Sequence, residues 1–154
     1  MRLQLALNVD DLESAVSFYS KMFGVAAAKR QPGYANFAIE DPPLKLVLFE
    51  GAGADGSINH LGVEADAASE VTEAQTRLTS AGLATTGVAD TTCCYAEKTE
   101  TWLEAPDGNR WEWYVKNADV DQASMQSQAP TDGCCTPGLE SVSIVPKNAT
   151  VSSV

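Results

Sequence analysis

Residues 4–10 read Gln-Leu-Ala-Leu-Asn-Val-Asp, and residues 60–66 read His-Leu-Gly-Val-Glu-Ala-Asp. Aligned, the two segments share apolar residues at their second, fourth and sixth places, a small residue at the third and a final aspartate. Alternation of this kind is typical of a β-strand with one buried face. The recurrence of the pattern predicts that the chain contains two copies of one structural module.

An amphipathic helix pattern follows each of these segments. The first apolar stripe ends at Gly24 and the second at Gly82, and glycine is the residue most often found just beyond a helix. Asp10 followed by Glu13 predicts a capping-box start for the first helix. The stripes consist of Leu12, Ala15, Val16, Tyr19, Met22 and Phe23 in the first module, and of Val71, Ala74, Leu78 and Ala81 in the second.

Three short strands are predicted after each helix. They lie at residues 25–29, 34–39 and 44–49 in the first module, and at 84–89, 99–104 and 110–115 in the second, with a hairpin turn at residues 106–109. Strand, helix and three strands, used twice, predict an α+β fold with two βαβββ modules. The modules, residues 1–52 and 57–116, should form a curved mixed sheet around a cavity in one domain of residues 1–116.

The remaining residues, 117–154, differ in composition. Gln, Ser, Thr, Ala, Gly and Pro dominate without a sustained period, which is typical of a flexible tail. Only residues 139–145 alternate weakly, as an additional edge strand would. We therefore expect that a chain ended after about residue 118 keeps its activity.

The charge of the chain excludes several classes of partner. The 154 residues carry a formal net charge of −11, which repels phosphate backbones and anionic lipid, so nucleic-acid and membrane-surface roles are disfavoured. No apolar run approaches the roughly 18–20 residues that span a bilayer. Because the opening residues do not resemble a secretory signal, we expect a cytoplasmic protein.

Strand parity places three ligand-type side chains on one face of the sheet. Gln4, His60 and Glu112 each lie opposite the apolar face of their strand, and His60 is the only histidine of the chain. An amide, an imidazole and a carboxylate resemble the facial triad of non-haem Fe(II) oxygenases, with Gln in place of one His. The alternative interpretation is a structural histidine beside solvated polar residues.

The cysteines occur as two adjacent pairs, Cys93-Cys94 and Cys134-Cys135. Neighbouring Cα atoms lie about 3.8 Å apart, below the usual disulfide range, so each pair is expected as thiols in a reducing compartment. Two adjacent thiols can replace both hydroxyls of a trivalent organoarsenical, because the second As–S bond forms intramolecularly. The alternative for Cys93-Cys94 is a pair of inert buried thiols. For Cys134-Cys135 three roles stay open: transfer of metalloid to the inner pair, binding of a second ion, or none, as a dispensable pair.

The modules and their motifs resemble the vicinal oxygen chelate (glyoxalase/bleomycin-resistance/dioxygenase) superfamily over residues 1–116. The resemblance rests on the openings at residues 4–11 and 59–64 and on the ending Ala-Pro-Asp-Gly-Asn-Arg-Trp-Glu at residues 105–112. It implies metal ligands from the first strand of each module and from the last strand, here Gln4, His60 and Glu112. Glyoxalase-like members take a fourth ligand from the last strand of the first module. In that strand, parity predicts that Leu44, Leu46 and Leu48 face the centre and that Glu50 lies at the strand end. Glu50 would reach the metal only if the register of this strand differs from the predicted one.

A closer similarity is to the ArsI/CadI group, on residues 30–39, 43–48, 59–63 and 91–94. ArsI members are Fe(II)-dependent carbon–arsenic lyases, and CadI members are cadmium-induced relatives. The similarity implies a dioxygenase with Fe(II) as cofactor, O₂ as co-substrate and a small trivalent organoarsenical, such as methylarsenite, held by Cys93 and Cys94. Two alternatives stay open: a cadmium- or arsenite-binding protein without turnover, and a glyoxalase-like metalloenzyme.

Overall fold

The computed structural model describes residues 1–54, 56–93 and 95–120. In this part of the chain two helices lie on one eight-stranded sheet. The elements in chain order are β1 (Arg2–Val9), α1 (Leu12–Phe23), β2 (Lys29–Gln31), β3 (Tyr34–Ile39), β4 (Leu44–Glu50), β5 (Ile58–Glu64), α2 (Ala68–Ser80), β6 (Ala89–Cys93), β7 (Ala96–Glu104) and β8 (Arg110–Asp119).

The sheet is mixed and built on an internal two-fold relation. Its strand order is β2-β3-β4-β1-β5-β8-β7-β6. The two first strands, β1 and β5, pair antiparallel at the centre, and each pairs in parallel with the last strand of its own module. This arrangement confirms the predicted α+β fold with two βαβββ modules in a curved mixed sheet.

Both helices cover the same side of the sheet, because the apolar residues of the strands point there. Leu5 and Leu7 of β1 pack with α1, and Trp113 and Val115 of β8 pack with α2. The opposite face carries the polar residues and stays open as a concave surface. The prediction of which residues of β1, β5 and β8 face the helices and which face the opposite side was therefore correct.

The helix ends follow local chemistry, with one correction to the prediction. Asp11, not Asp10, caps α1: its backbone is extended and its carboxylate accepts a hydrogen bond from the Ser14 amide at 2.9 Å. Gly24 ends α1 with a φ of 68°. In α2 the Glu70 carboxylate accepts the backbone N–H groups of Asp66 and Ala67.

Two predicted strands are displaced along the chain. The strand expected at residues 25–29 begins only at Lys29, and the one expected at 84–89 begins at Ala89. Both are edge strands, whose extent is set by the neighbour with which they pair: β2 by its hairpin with β3, and β6 by its hairpin with β7. An apolar run alone does not reveal that register.

Strand β8 continues to Asp119, so residues 117–119 belong to the sheet rather than to the predicted tail. Residues 121–154 lie outside the described residues, and with them Cys134, Cys135 and the edge strand predicted at 139–145. The domain boundaries therefore remain a prediction. Neither described helix has the length and apolarity needed to cross a bilayer.

Candidate metal centre

Three neighbouring strands place Gln4 and Glu112 in one row across the sheet, with His60 two residues away along β5. Gln4 of β1 pairs with Gly62 of β5, and Gly62 pairs with Glu112 of β8. A Cβ atom on Gly62 would come within 3.0 Å of the Glu112 carbonyl oxygen and 3.4 Å of the Gln4 Cβ. The glycine therefore leaves the space in which the Gln4 and Glu112 side chains meet.

The side chains of Gln4, His60 and Glu112 converge on the concave face. The Gln4 amide nitrogen lies 2.9 Å from His60 Nε2 and 3.0 Å from Glu112 Oε2, and Nε2 and Oε2 lie 3.6 Å apart. All three side chains are buried, with exposures of 5%, 3% and 1%. The lone pairs of an imidazole and a carboxylate thus point at one amide NH₂ group.

A hydrogen-bond chain holds the imidazole in place. His60 Nδ1 lies 2.8 Å from Asn59 Oδ1, while Asn59 donates through Nδ2 to Asn8 Oδ1 at 2.9 Å. Because the amide oxygen of Asn59 only accepts, the Nδ1 atom carries the proton and Nε2 keeps its lone pair. This tautomer is the one that binds a metal through Nε2.

The Gln4 amide is held from its other side by Tyr114. The Tyr114 hydroxyl donates to Gln4 Oε1 at 2.6 Å and accepts from Lys45 Nζ at 2.8 Å. Burial raises the pKa of the Tyr114 hydroxyl, so this group stays protonated. A half-turn of the amide exchanges its oxygen and nitrogen and directs Oε1 toward His60 and Glu112.

Lys98 supplies the positive charge that pairs with Glu112. Its Nζ donates to Glu112 Oε1 at 2.5 Å and lies 3.7 Å from Glu100 Oε2. Burial opposes the charge of Glu112, but Lys98 and the hydrogen bonds of His60 and Glu100 outweigh it and lower the pKa of this carboxyl. Burial and the neighbouring Glu112 raise the pKa of Glu100 to about 7.

Strand β4 corrects one prediction. Leu44, Leu46 and Leu48 pack against α1 rather than facing the centre, since Leu46 pairs with Leu5 of β1 and shares its side of the sheet. Glu50 lies at the N-terminus of α1, where its carboxylate accepts the Leu12 amide at 2.9 Å. The inward residues are instead Lys45, Val47 and Phe49.

The internal two-fold relation identifies the position equivalent to Glu112. The pair Gly62–Glu112 in the second module corresponds to the pair Ala6–Val47 in the first. Val47 is apolar and only 3% exposed, so it offers no fourth ligand. Of the four positions to which the resemblance assigns metal ligands, all of them among the described residues, three therefore carry a donor: Gln4, His60 and Glu112.

These three residues fit a divalent metal ion by the chemistry of their donors. Neutral imidazole, carboxylate and amide oxygen together suit a first-row dication, and a single anionic ligand leaves positive charge on the ion. Among the described residues there is no group of three His, Cys, Asp or Glu side chains that could hold a metal. The candidate centre consequently depends on the Gln4 amide as third donor.

A cavity of about 420 Å³ opens above this centre. Gln4 and His60 lie at its polar side. Another part of the cavity has an aromatic wall, formed by Tyr34 and Phe49, whose rings lie 5.5 Å apart beside the buried Val47. The Phe49 ring also lies 6.2 Å from the His60 ring. The cavity thus combines a polar floor with a wall suited to an organic group.

Cys93 ends β6 at the rim of this region. It is 3% exposed and pairs with Ala96, which lines the cavity. Its thiol acts electrostatically on Tyr34 and Lys98, both of which line the cavity as well. Cys94 lies outside the described residues, so the arrangement of the two thiols is not described.

Sequence reasoning missed the residues of β7 that complete the site, namely Lys98, Glu100 and Trp102. Residues 97–101 are all polar, so no apolar face shows which side chains point inward. Trp102 lies edge-on to the His60 ring at 5.2 Å. The alternation in the neighbouring strand β8 could have indicated the inward face of β7, because Trp102 pairs with the inward-facing Glu112.

The fold and the site define a class of protein that comparison with known families identifies. The model described as the Glyoxalase/Bleomycin resistance protein/Dioxygenase superfamily matches residues 3–113, and the chain belongs to this superfamily. The resemblance stated from the sequence motifs is thereby confirmed. The Mn(II)-bound glyoxalase of Novosphingobium aromaticivorans shares the fold at 18% identity, with a TM-score of 0.56 over 77% of this chain and 40% of its own.

Two groups of relatives are much more similar in sequence. The trivalent organoarsenical cleaving enzyme of Thermomonospora curvata is 51% identical over 137 residues, which are 88% of this chain and 89% of that enzyme. The cadmium-induced protein CadI of Mycobacterium tuberculosis is 56% identical over 120 residues, 78% of this chain and 79% of that protein. The predicted similarity to the ArsI/CadI group is thus confirmed.

Proposed function

We propose that this protein is an Fe(II)-dependent dioxygenase that cleaves the carbon–arsenic bond of trivalent organoarsenicals and releases arsenite. One observation of the structure carries the proposal: His60 Nε2 and Glu112 Oε2 converge on the Gln4 amide, while the apolar Val47 stands at the fourth position. A three-ligand centre suits a reaction with two further reactants, because it leaves positions for both. The 51% identity to an organoarsenical cleaving enzyme supports the choice of substrate.

Gln4, His60 and Glu112 would hold the metal. Bound Fe(II) would supply the electron-transfer chemistry with dioxygen that side chains lack. The chain contributes the orientation of the ligands: Asn59 fixes the His60 tautomer, and Tyr114 holds the Gln4 amide at a second contact. Burial of the three ligand side chains limits their contact with bulk water, while the cavity above them leaves room for small reactants and water.

Cys93 and Cys94 would capture the substrate. Two thiols react with R–As(OH)₂ to form two As–S bonds, and the two hydroxyl groups leave as water with the thiol protons. Trivalent arsenic remains trivalent in this exchange, so no oxidant is consumed. The Lys98 ammonium is an electrostatic neighbour of the Cys93 thiol.

The aromatic wall would receive the organic group of the substrate. Tyr34 and Phe49 line the cavity near His60, and Tyr95 packs against Tyr34 with the ring centroids 5.6 Å apart. A methyl or aryl substituent on arsenic gains apolar contact there. With the arsenic at Cys93, its carbon would then lie between the wall and the metal ligands.

The test uses the full chain, loaded with Fe(II) under anaerobic conditions and incubated with methylarsenite. We expect inorganic arsenite to appear only after dioxygen is admitted, in proportion to the iron bound. Chromatography coupled to elemental mass spectrometry separates the two arsenic species. Methylarsenite that remains bound and uncleaved after dioxygen is admitted would contradict the proposal.

The second candidate is a binding protein that sequesters cadmium or arsenite through thiols without turnover. The 56% identity to CadI favours it. The same experiment separates the two functions, because a sequestering protein binds the metalloid and releases no new arsenic species.

A glyoxalase-like activity is a third, weaker candidate. Val47 counts against it, because the superfamily's four-ligand members need a donor at that place. Activity with Ni(II) or Zn(II) on glutathione conjugates would favour it over the dioxygenase.

A further inference from the structure

Lys98 is almost completely buried, which is unusual for a lysine. Its side chain is 9% exposed and passes over the Tyr114 ring, with Nζ 4.9 Å from the ring centroid. In the sheet Lys98 pairs with Lys116, four residue pairs away from Trp102, which pairs with Glu112. The long side chain therefore runs along the sheet toward Glu112, and a shorter residue would not reach it.

The two oxygens of Glu112 face different partners. Oε1 accepts from Lys98 Nζ at 2.5 Å, and Oε2 faces Gln4 Nε2 at 3.0 Å and His60 Nε2 at 3.6 Å. A carboxylate at a metal centre can bind through one oxygen or through both. Here one oxygen is already engaged by a buried ammonium group.

Lys98 also has a second acidic neighbour that does not compete for this contact. Glu100 Oε2 lies 3.7 Å from Nζ, beyond hydrogen-bond distance, and has no hydrogen-bond partner among the described residues. The short contact of Nζ is therefore directed at the ligand oxygen rather than shared equally between the two carboxylates.

We propose that Lys98 is a positioning residue that restricts Glu112 to one ligating oxygen and so keeps one more coordination position of the metal open. This inference rests on the proposed metal centre. In an octahedral site with three protein donors, about three positions stay available for water or reactants. If both Glu112 oxygens bound the ion, about two would remain.

The experiment measures bound water on Mn(II), used as a paramagnetic probe in place of iron. Wild-type protein and the Lys98→Met variant are saturated with Mn(II), and the water-proton relaxation rate per bound ion is compared. We expect the relaxation enhancement of Lys98→Met to fall to about two-thirds of the wild-type value, because one of three waters is displaced. Equal enhancement in both proteins would overturn the inference.

Two further variants keep the test decisive. Lys116→Met removes the same charge from the cavity wall without touching Glu112 and should keep the wild-type enhancement. If Lys98→Met does not fold, Lys98→Gln replaces it, since its polar amide is one bond shorter and does not reach Oε1. An equal fall in Lys116→Met would assign the effect to charge alone and overturn the inference.

Failure of the underlying metal proposal gives a different result. If wild-type protein shows no site-specific relaxation enhancement, and Glu112→Gln and His60→Ala change nothing, then the metal centre itself is wrong. An intact wild-type signal that Lys98→Met leaves unaltered contradicts only the role of Lys98.

Discussion

Glu112 connects the buried polar side chains of the concave face, because it contacts Lys98, Gln4 and His60. It is 1% exposed, and its carboxylate meets an ammonium on one side and an amide and imidazole on the other. A buried charge of this kind is stable only while its partners are present. The same dependence makes its substitution informative about both stability and metal binding.

We expect Glu112→Gln to abolish binding of divalent metals, because the candidate centre loses its anionic ligand. Lys98 loses its closest counter-charge, so the free energy of unfolding should fall by about 3–5 kcal/mol. Metal content after dialysis and urea denaturation followed by circular dichroism measure the two effects. Glu104→Gln, at an exposed position of β7, is the control and should alter neither. Full metal occupancy in Glu112→Gln would contradict the assigned ligand.

Cys93 tests the other half of the site. We expect Cys93→Ser to lose cleavage of methylarsenite while it keeps wild-type affinity for the metal, since a hydroxyl does not form the stable bond to arsenic that a thiolate forms. Cys94→Ser should behave in the same way. Cys134→Ser and Cys135→Ser serve as controls that keep turnover. Undiminished cleavage by Cys93→Ser would refute capture by this thiol.

At the scale of elements, the inward face of a strand could be predicted where apolar and polar residues alternate. It could not be predicted where this alternation is missing. In β1 the alternation of leucines with Gln4, Ala6 and Asn8 gave the correct face. In β4 every residue from 46 to 49 is apolar, so the sequence offers no alternation to decide between the two faces. Pairing with β1 decides it, because neighbours across parallel strands share a side.

Gly62 links the strands to the site. We expect Gly62→Ala to weaken metal binding and to lower the free energy of unfolding by about 1–3 kcal/mol, because the new Cβ meets the Glu112 backbone oxygen at 3.0 Å. Calorimetric titration with Mn(II) and thermal unfolding are the measurements. If Gly62→Ala binds Mn(II) as tightly as the wild type, Gly62 does not set the spacing between Gln4 and Glu112.

The Asp11 cap of α1 makes the stability of the fold depend on pH in a direction that the pKa of Asp11 determines. Hydrogen bonds from Ser14 lower the pKa of Asp11 below its ordinary value of 3.8. The cap therefore stabilises the fold above pH 3.8, and this contribution is lost as the pH falls through the lowered pKa. Asp11→Ala should melt at a lower temperature than the wild type at neutral pH, and the difference should vanish in acid. Equal melting temperatures of Asp11→Ala and the wild type at neutral pH would contradict the role of this cap.

At the scale of the whole molecule, the end of β8 connects the two modules. Lys29 Nζ donates to Asp119 at 2.7 Å and to the Tyr95 carbonyl at 2.7 Å, and the Val120 amide donates to the same carbonyl at 3.0 Å. These contacts join β2, the β6–β7 hairpin and the last strand across the mouth of the cavity. The strand thus contributes to the site beyond the residue at which the tail was predicted to begin.

A pair of truncations tests this arrangement. We expect a chain ended after Val120 to keep its fold and turnover, whereas one ended after Lys116 should unfold at a lower temperature and lose turnover. The shorter chain lacks both the Asp119 ion pair and the Val120 hydrogen bond. Thermal unfolding and arsenite release compare the two. Equal melting temperatures would show that residues 117–120 are dispensable.

The sequence by itself determined the repeat, the two helices, the α+β fold and the shared face of Gln4, His60 and Glu112. These features depend on local hydrophobic periodicity, which can be recognised in each module from its own residues alone. Only the tertiary structure decided that Lys98 contacts Glu112, that Val47 and not Leu46 faces the cavity, and that the Glu50 carboxylate accepts the Leu12 amide at the start of α1. Such facts depend on the register between strands, which long-range pairing fixes and which no single stretch of sequence encodes.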